Sequence, residues 1–81
     1  MTIKKSILLA LNNVYPLLLP EQSLYIDANC LLEKPVTMSE LREELMWLEA
    51  ARQVVGLRSS DGSLKWRITD NGRAELFCES Y

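Results

Sequence analysis

Apolar residues recur along this chain three times with a helical period, then twice with a strand period, before a short helical stretch closes it. In residues 3–14, Ile3, Ile7, Ala10, Leu11 and Val14 share one stripe, Thr2 is placed to cap the first turn and Pro16 stops continuation, which predicts a first helix. Leu8 and Leu9 lie off that stripe. This helix is therefore either covered on more than one side or in contact with another subunit. An apolar connector bounded by Pro16 and Pro20 leads to a second helix over residues 21–32. Leu24, Ala28 and Leu31 have helical spacing there, Glu21 favours its start, and Glu33, Lys34 and Pro35 end it.

The third helix has two start signals. Thr37 and Glu40 fit the S/T-x-x-E capping box, and Val36 with Leu41 fits the hydrophobic staple. Met38, Leu41, Leu45 and Leu48 then fall within about 80° of the circumference and define its buried face. The opposite face carries Glu40, Glu43, Trp47 and Ala50, with Glu44 at its border.

Two strand-like runs, residues 54–60 and 63–69, flank Asp61-Gly62, which predicts a hairpin with a two-residue type I′ turn. That turn would pair Ser60 with Ser63, Arg58 with Lys65, Leu57 with Trp66 and Val55 with Ile68. Val55, Leu57, Trp66 and Ile68 would then face inward, and Arg58, Lys65 and Arg67 would form a basic outer face. Thr69 and Asp70 start a short last helix with Ala74, Phe77 and Cys78 on one side. The expected fold class is mainly α with a small β-hairpin: three helices, a two-stranded wing and a short C-terminal helix. Its expected core is Ile7, Leu11, Leu41, Leu45, Leu48, Val55, Trp66 and Ile68.

This layout resembles a winged helix-turn-helix domain. The segment Leu48-Glu-Ala-Ala-Arg-Gln-Val-Val-Gly-Leu-Arg58, then Asp61-Gly62, then Trp66-Arg-Ile-Thr-Asp-Asn-Gly-Arg-Ala-Glu-Leu76 resembles the helix-to-wing-to-helix passage of MarR-like regulators. The whole chain, including Pro35-Val-Thr37 and Glu44-Leu-Met-Trp-Leu48, is similar to small winged-helix proteins carried by Mu-like phages and prophages. The first resemblance implies a third helix in the major groove and a wing tip on the backbone or minor groove. Fold alone does not establish that activity.

Charge changes this picture. Between residues 37 and 57 there are four carboxylates (Glu40, Glu43, Glu44, Glu49) against two guanidiniums (Arg42, Arg52), so the helix that should read bases repels phosphate. The wing is the reverse: Arg58, Lys65, Arg67 and Arg73 stand against Asp61 and Asp70. In the expected register Arg58 opposes Lys65, a mildly unfavourable pair that phosphate, Glu79, a neighbouring subunit's acidic helix or solvent could compensate. Trp66 is expected in the core. Trp47, ringed by Glu40, Glu43 and Glu44, is expected either to make a protein contact or to be covered by a terminal segment. Tyr15, Tyr25 and Tyr81 have no spacing that suggests a base-stacking platform.

The chain has 81 residues, the size of a single domain spanning 1–81. A domain this small gains from subunit contacts. A net charge of -2 and pI near 5.0 exclude a uniformly basic nucleic-acid binder, so any DNA affinity must be local. There is no His, and the two Cys lie 48 positions apart, so zinc-type spacing and Ser-His or Cys-His nucleophile pairs are missing. Glu40 with Glu43 or Glu44 has no cleft to desolvate one carboxyl, and the chain is expected not to be an enzyme. No metal, cofactor or small-molecule substrate is implied. The stretch from Ile7 to Leu11 is too short for a leader or a membrane span, which predicts a cytoplasmic protein with Cys30 and Cys78 as free thiols.

Two functions are consistent with these residues. One is a phage-type regulatory or accessory protein that contacts duplex DNA through Arg58, Lys65 and Arg67. The other is a protein-interaction or dimerisation module using Leu8, Leu9, Glu40, Glu43 and Trp47 on the same scaffold.

Overall fold

Each helix begins where a hydroxyl can take up a free backbone N–H or where proline forbids an earlier start. The structure is a computed structural model in which residues 2–78 are described, with the Cys78 side chain left aside. The expectations for the Cys78 side chain, Glu79 and Tyr81 therefore fall outside the described residues. Helix α1 (Ile3–Asn13) is capped by Thr2, whose hydroxyl accepts from the N–H of Lys5 at 3.1 Å. A two-residue strand, β1 (Leu19–Pro20), leads into α2 (Glu21–Leu31), and α3 (Met38–Ala50) follows. The capping box is complete: Thr37 Oγ1 accepts from the Glu40 N–H, and the Glu40 carboxylate accepts from the Thr37 N–H. Strands β2 (Val54–Arg58) and β3 (Leu64–Ile68) form the hairpin, and α4 (Asp70–Cys78) starts at Thr69, whose Oγ1 accepts from the Gly72 N–H.

Helix α3 ends in a Schellman motif. The Gln53 N–H bonds the Leu48 carbonyl at 2.9 Å, the Arg52 N–H bonds that of Glu49 at 3.0 Å, and Arg52 sits at φ 62°. Glycine is the usual occupant of this left-handed position, because a Cβ crowds the following carbonyl. Arg52→Gly is therefore expected to raise stability by about 0.5–1 kcal/mol. A denaturant midpoint that stays put or falls would contradict this.

The expected two-stranded wing is corrected to a three-stranded antiparallel sheet in the order β1-β3-β2. Leu19 pairs with Trp66 and Pro20 with Lys65, so proline lies on an edge strand, where its missing donor is tolerated. The expected hairpin register is also corrected, by one residue. Val54 pairs with Ile68, Val55 with Arg67, Gly56 with Trp66, Leu57 with Lys65 and Arg58 with Leu64. The loop has three residues rather than two. The N–H of Ser59 bonds the Ser63 carbonyl, Gly62 alone takes positive φ at 90°, and Asp61 accepts from both the N–H and the hydroxyl of Ser63. A type I′ turn would need positive φ at Asp61 as well, whereas Asp61 is satisfied locally without it.

That shift turns β2 over relative to β3. Trp66 and Ile68 stay inward, as expected, but Val54 and Gly56 oppose them, and Val55 becomes half-buried and Leu57 exposed on the outer face. The physical reason is the indole. A Cβ at position 56 would lie 2.8 Å from Cζ3 of Trp66, so the ring occupies the space over the only residue in β2 that has no side chain.

Helix α1 packs against α2, α3, α4 and β3, which places it at the centre of the molecule. Its neighbours bury Ile7, Leu8, Ala10 and Leu11 together with Leu24, Leu41, Leu45, Leu48, Val54, Trp66, Ile68 and Leu76. Leu31 is exposed despite its spacing, and in α4 Gly72 and Leu76 face inward while Ala74 and Phe77 are exposed.

Candidate functional site

Because α1 is central, Leu8 is 2% exposed and Leu9 packs half-buried against the core, so the contact surface expected of Leu8 is already filled from within the chain. The surface that remains open lies on α3 and on the outer face of the sheet.

The core stripe of α3 aims Glu40, Glu43, Met46 and Trp47 away from the protein. Trp47 is 68% and Met46 70% exposed, and with Glu43 they line a shallow depression of about 290 Å³. No terminal segment among the described residues covers Trp47. The four carboxylates of this region have different employments. Glu40 closes the capping box, and Glu49 accepts from the N–H of Gly56 at 3.1 Å, protecting the free edge of β2. Glu43 and Glu44 have no hydrogen-bond or ionic partner among the described residues. Arg42, the cation of α3, is held by Glu21 through two hydrogen bonds of 3.3 and 3.4 Å. The helix therefore presents two exposed apolar groups beside unpaired negative charge, and Met46 is a member of this site that helical-stripe reasoning missed. Its position one residue before Trp47 was the available signal.

The register correction divides the expected basic face. Lys65 and Arg67 share the outer side of the sheet with Val55 and Leu57, the latter 46% exposed. Arg58 lies on the other side, in a groove that also contains Leu64, Trp66, Glu21 and Glu49. Arg58 and Lys65 therefore do not oppose one another, and the expected like-charge repulsion is absent. None of the three cations makes an ion pair among the described residues. Asp61, at the loop tip, is held below the usual aspartate range mainly by the Ser63 backbone N–H, then by the Ser63 hydroxyl, with nearby Lys65 acting in the same direction.

The remaining polar contacts tie α4 to α1. Arg73 donates to Asn12 and lies 4.1 Å from the Tyr15 ring centroid, Tyr15 donates to Asp70, and Lys4 pairs with Glu75 at 3.0 Å. These groups are engaged within the fold. Among the described residues no three His, Cys, Asp or Glu side chains converge as a metal site, and no helix is long and apolar enough to cross a membrane.

No family model matches this sequence, and no curated protein matches it.

Proposed function

We propose that this protein is a winged-helix-type interaction module whose third helix makes a protein contact through Glu43, Met46 and Trp47. The element order and the β1-β3-β2 sheet with its hairpin support the scaffold. The functional reading rests on one observation: Trp47 is 68% exposed on a helix whose unpaired charges are carboxylates. Tryptophan and methionine anchors are enriched at protein interfaces, and charge at their rim sets the choice of partner. A groove-reading helix would need donors toward bases and phosphates, and Glu43 and Glu44 offer only acceptors.

Peptides selected from a random library against the wild-type protein test this. The expected binders combine Lys or Arg with an apolar anchor and bind Trp47→Ala at least about tenfold more weakly, about 1.4 kcal/mol. Unfolding of the variant should be unchanged, since the side chain lies outside the core. Equal binding to both proteins would remove the role given to Trp47. DNA contact through the wing is the competing outcome, with Lys65 and Arg67 on one face and Arg58 on the other. It would appear as duplex binding that weakens steeply with salt and is lost in the Lys65→Ala and Arg67→Ala variants.

A further inference from the structure

We infer that the partner of the α3 face is the outer sheet face of a second copy of this chain. This identification rests on the reading of α3 as a protein-contact surface and adds its occupant. The two faces complement each other in both charge and character. One offers Met46 and Trp47 beside the unpaired carboxylate of Glu43. The other offers Leu57, 46% exposed, flanked by Arg67, which makes no salt bridge among the described residues, and by Lys65, whose charge also acts on Asp61 at the loop tip.

The acids that adjoin the hairpin in sequence, Asp61 in the loop and Asp70 at the start of α4, are oriented by local hydrogen bonds. Asp61 accepts two hydrogen bonds from Ser63, and Asp70 accepts one from Tyr15. Arg67 makes no salt bridge among the described residues and is available to an incoming carboxylate, with Lys65 beside it adding positive charge, and Glu43 is available to an incoming cation. The docked pair places a guanidinium or ammonium over the face of an exposed indole, where cation–π attraction adds to the ionic one. Leu57 supplies the aliphatic contact for Met46 and Trp47. Isolated surface ion pairs contribute little, so the apolar groups carry the affinity and the charges fix its orientation.

The two faces are different patches of the same chain, so they meet head to tail unless a two-fold axis brings both pairs together at once and closes a dimer. In the head-to-tail arrangement each copy bound by its helix still presents its sheet, and assembly continues as an open chain. The one-residue register of the hairpin is what creates the acceptor face. In the alternative register Leu57 would be buried and Arg58 would join Lys65 and Arg67.

Sedimentation velocity across a concentration series tests the inference on the full chain. The wild-type protein is expected to form dimers and larger species by high micromolar concentration, weakening as salt is raised. Glu43→Lys, altered only on the helix face, and Leu57→Lys, altered only on the sheet face so that the two altered faces are both cationic and repel, are each expected to sediment as monomers. Mixed in equal amounts they should form one-to-one dimers and nothing larger, because each supplies the intact face the other needs. Circular dichroism melts of both variants matching wild type would establish that they fold. A wild-type protein that stays monomeric throughout the series overturns the inference. So does a mixture that stays monomeric while both variants melt like wild type. Neither result touches Trp47-dependent peptide binding, so failure of the self-contact and failure of the interaction module are distinguishable.

Discussion

Gly72→Ala is expected to destabilise this protein by about 3 kcal/mol, although the same change at an exposed helical position would ordinarily stabilise by up to about 1 kcal/mol. Gly72 is buried in the first turn of α4, where the chain passes directly over the end of α3. A Cβ there would collide with the Gln53 carbonyl oxygen and come within 2.8 Å of Cγ1 of Ile68. Neither neighbour can move freely. The Gln53 carbonyl accepts from the Thr69 N–H at 3.0 Å, and Ile68 is fully buried. Thr69 Oγ1 also donates to the Arg52 carbonyl at 2.7 Å while accepting from Gly72 itself, so relieving the clash would open the junction that joins α3 to α4. Overpacking against backbone and the loss of a hydrogen bond worth about 1 kcal/mol both count against the variant. For a domain of this size the melting temperature should fall by more than about 10 °C. A loss below about 1 kcal/mol in a denaturant titration would show that the two segments are not in contact.

Leu45→Ala is expected to cost about 2–5 kcal/mol, a large share of the total stability available to a small domain. Leu45 is fully buried on the inward face of α3, in the same cluster as Ile7, Leu11, Leu24 and Leu41. Truncation leaves a cavity surrounded by helices whose spacing other contacts determine, so little collapse is available to fill it. Leu57→Ala is the informative companion. Both leucines belong to runs that read as core, yet Leu57 faces solvent on the outer side of the hairpin, so its truncation should stay within about 0.5 kcal/mol. Equal losses at the two positions would restore the register in which Leu57 opposes Trp66. A loss below about 1 kcal/mol for Leu45→Ala would mean that the wrong face of α3 had been assigned to the core.

The elements decided locally were legible in the order of residues. Thr2, Thr37 and Thr69 start their helices because each hydroxyl reaches an N–H only three positions away. Ile7, Leu11, Leu41, Leu45 and Leu48 are buried because helical spacing alone puts them on one side of a helix. Glu43 and Trp47 fall on the open side of α3 for the same reason. Long-range geometry decided the rest. Leu8 reads as surplus apolar surface until α1 is surrounded by α2, α3, α4 and β3. Leu19 and Pro20 form a strand only because β3 provides a partner more than 40 residues away. The β2 run is apolar on both alternations, Val54 with Gly56 and Val55 with Leu57, so its period could not choose a face. The choice came from the size of the Trp66 indole, which needs the empty place at Gly56, and from a three-residue loop that lets the two meet. Capping depends on neighbours within one turn, and the sequence alone determines it, whereas which apolar residues of a helix are buried also depends on what packs against the helix, as Leu8 and Leu31 show. Strand register depends on which side chains fit together across the sheet, and only the folded structure brings those side chains into contact.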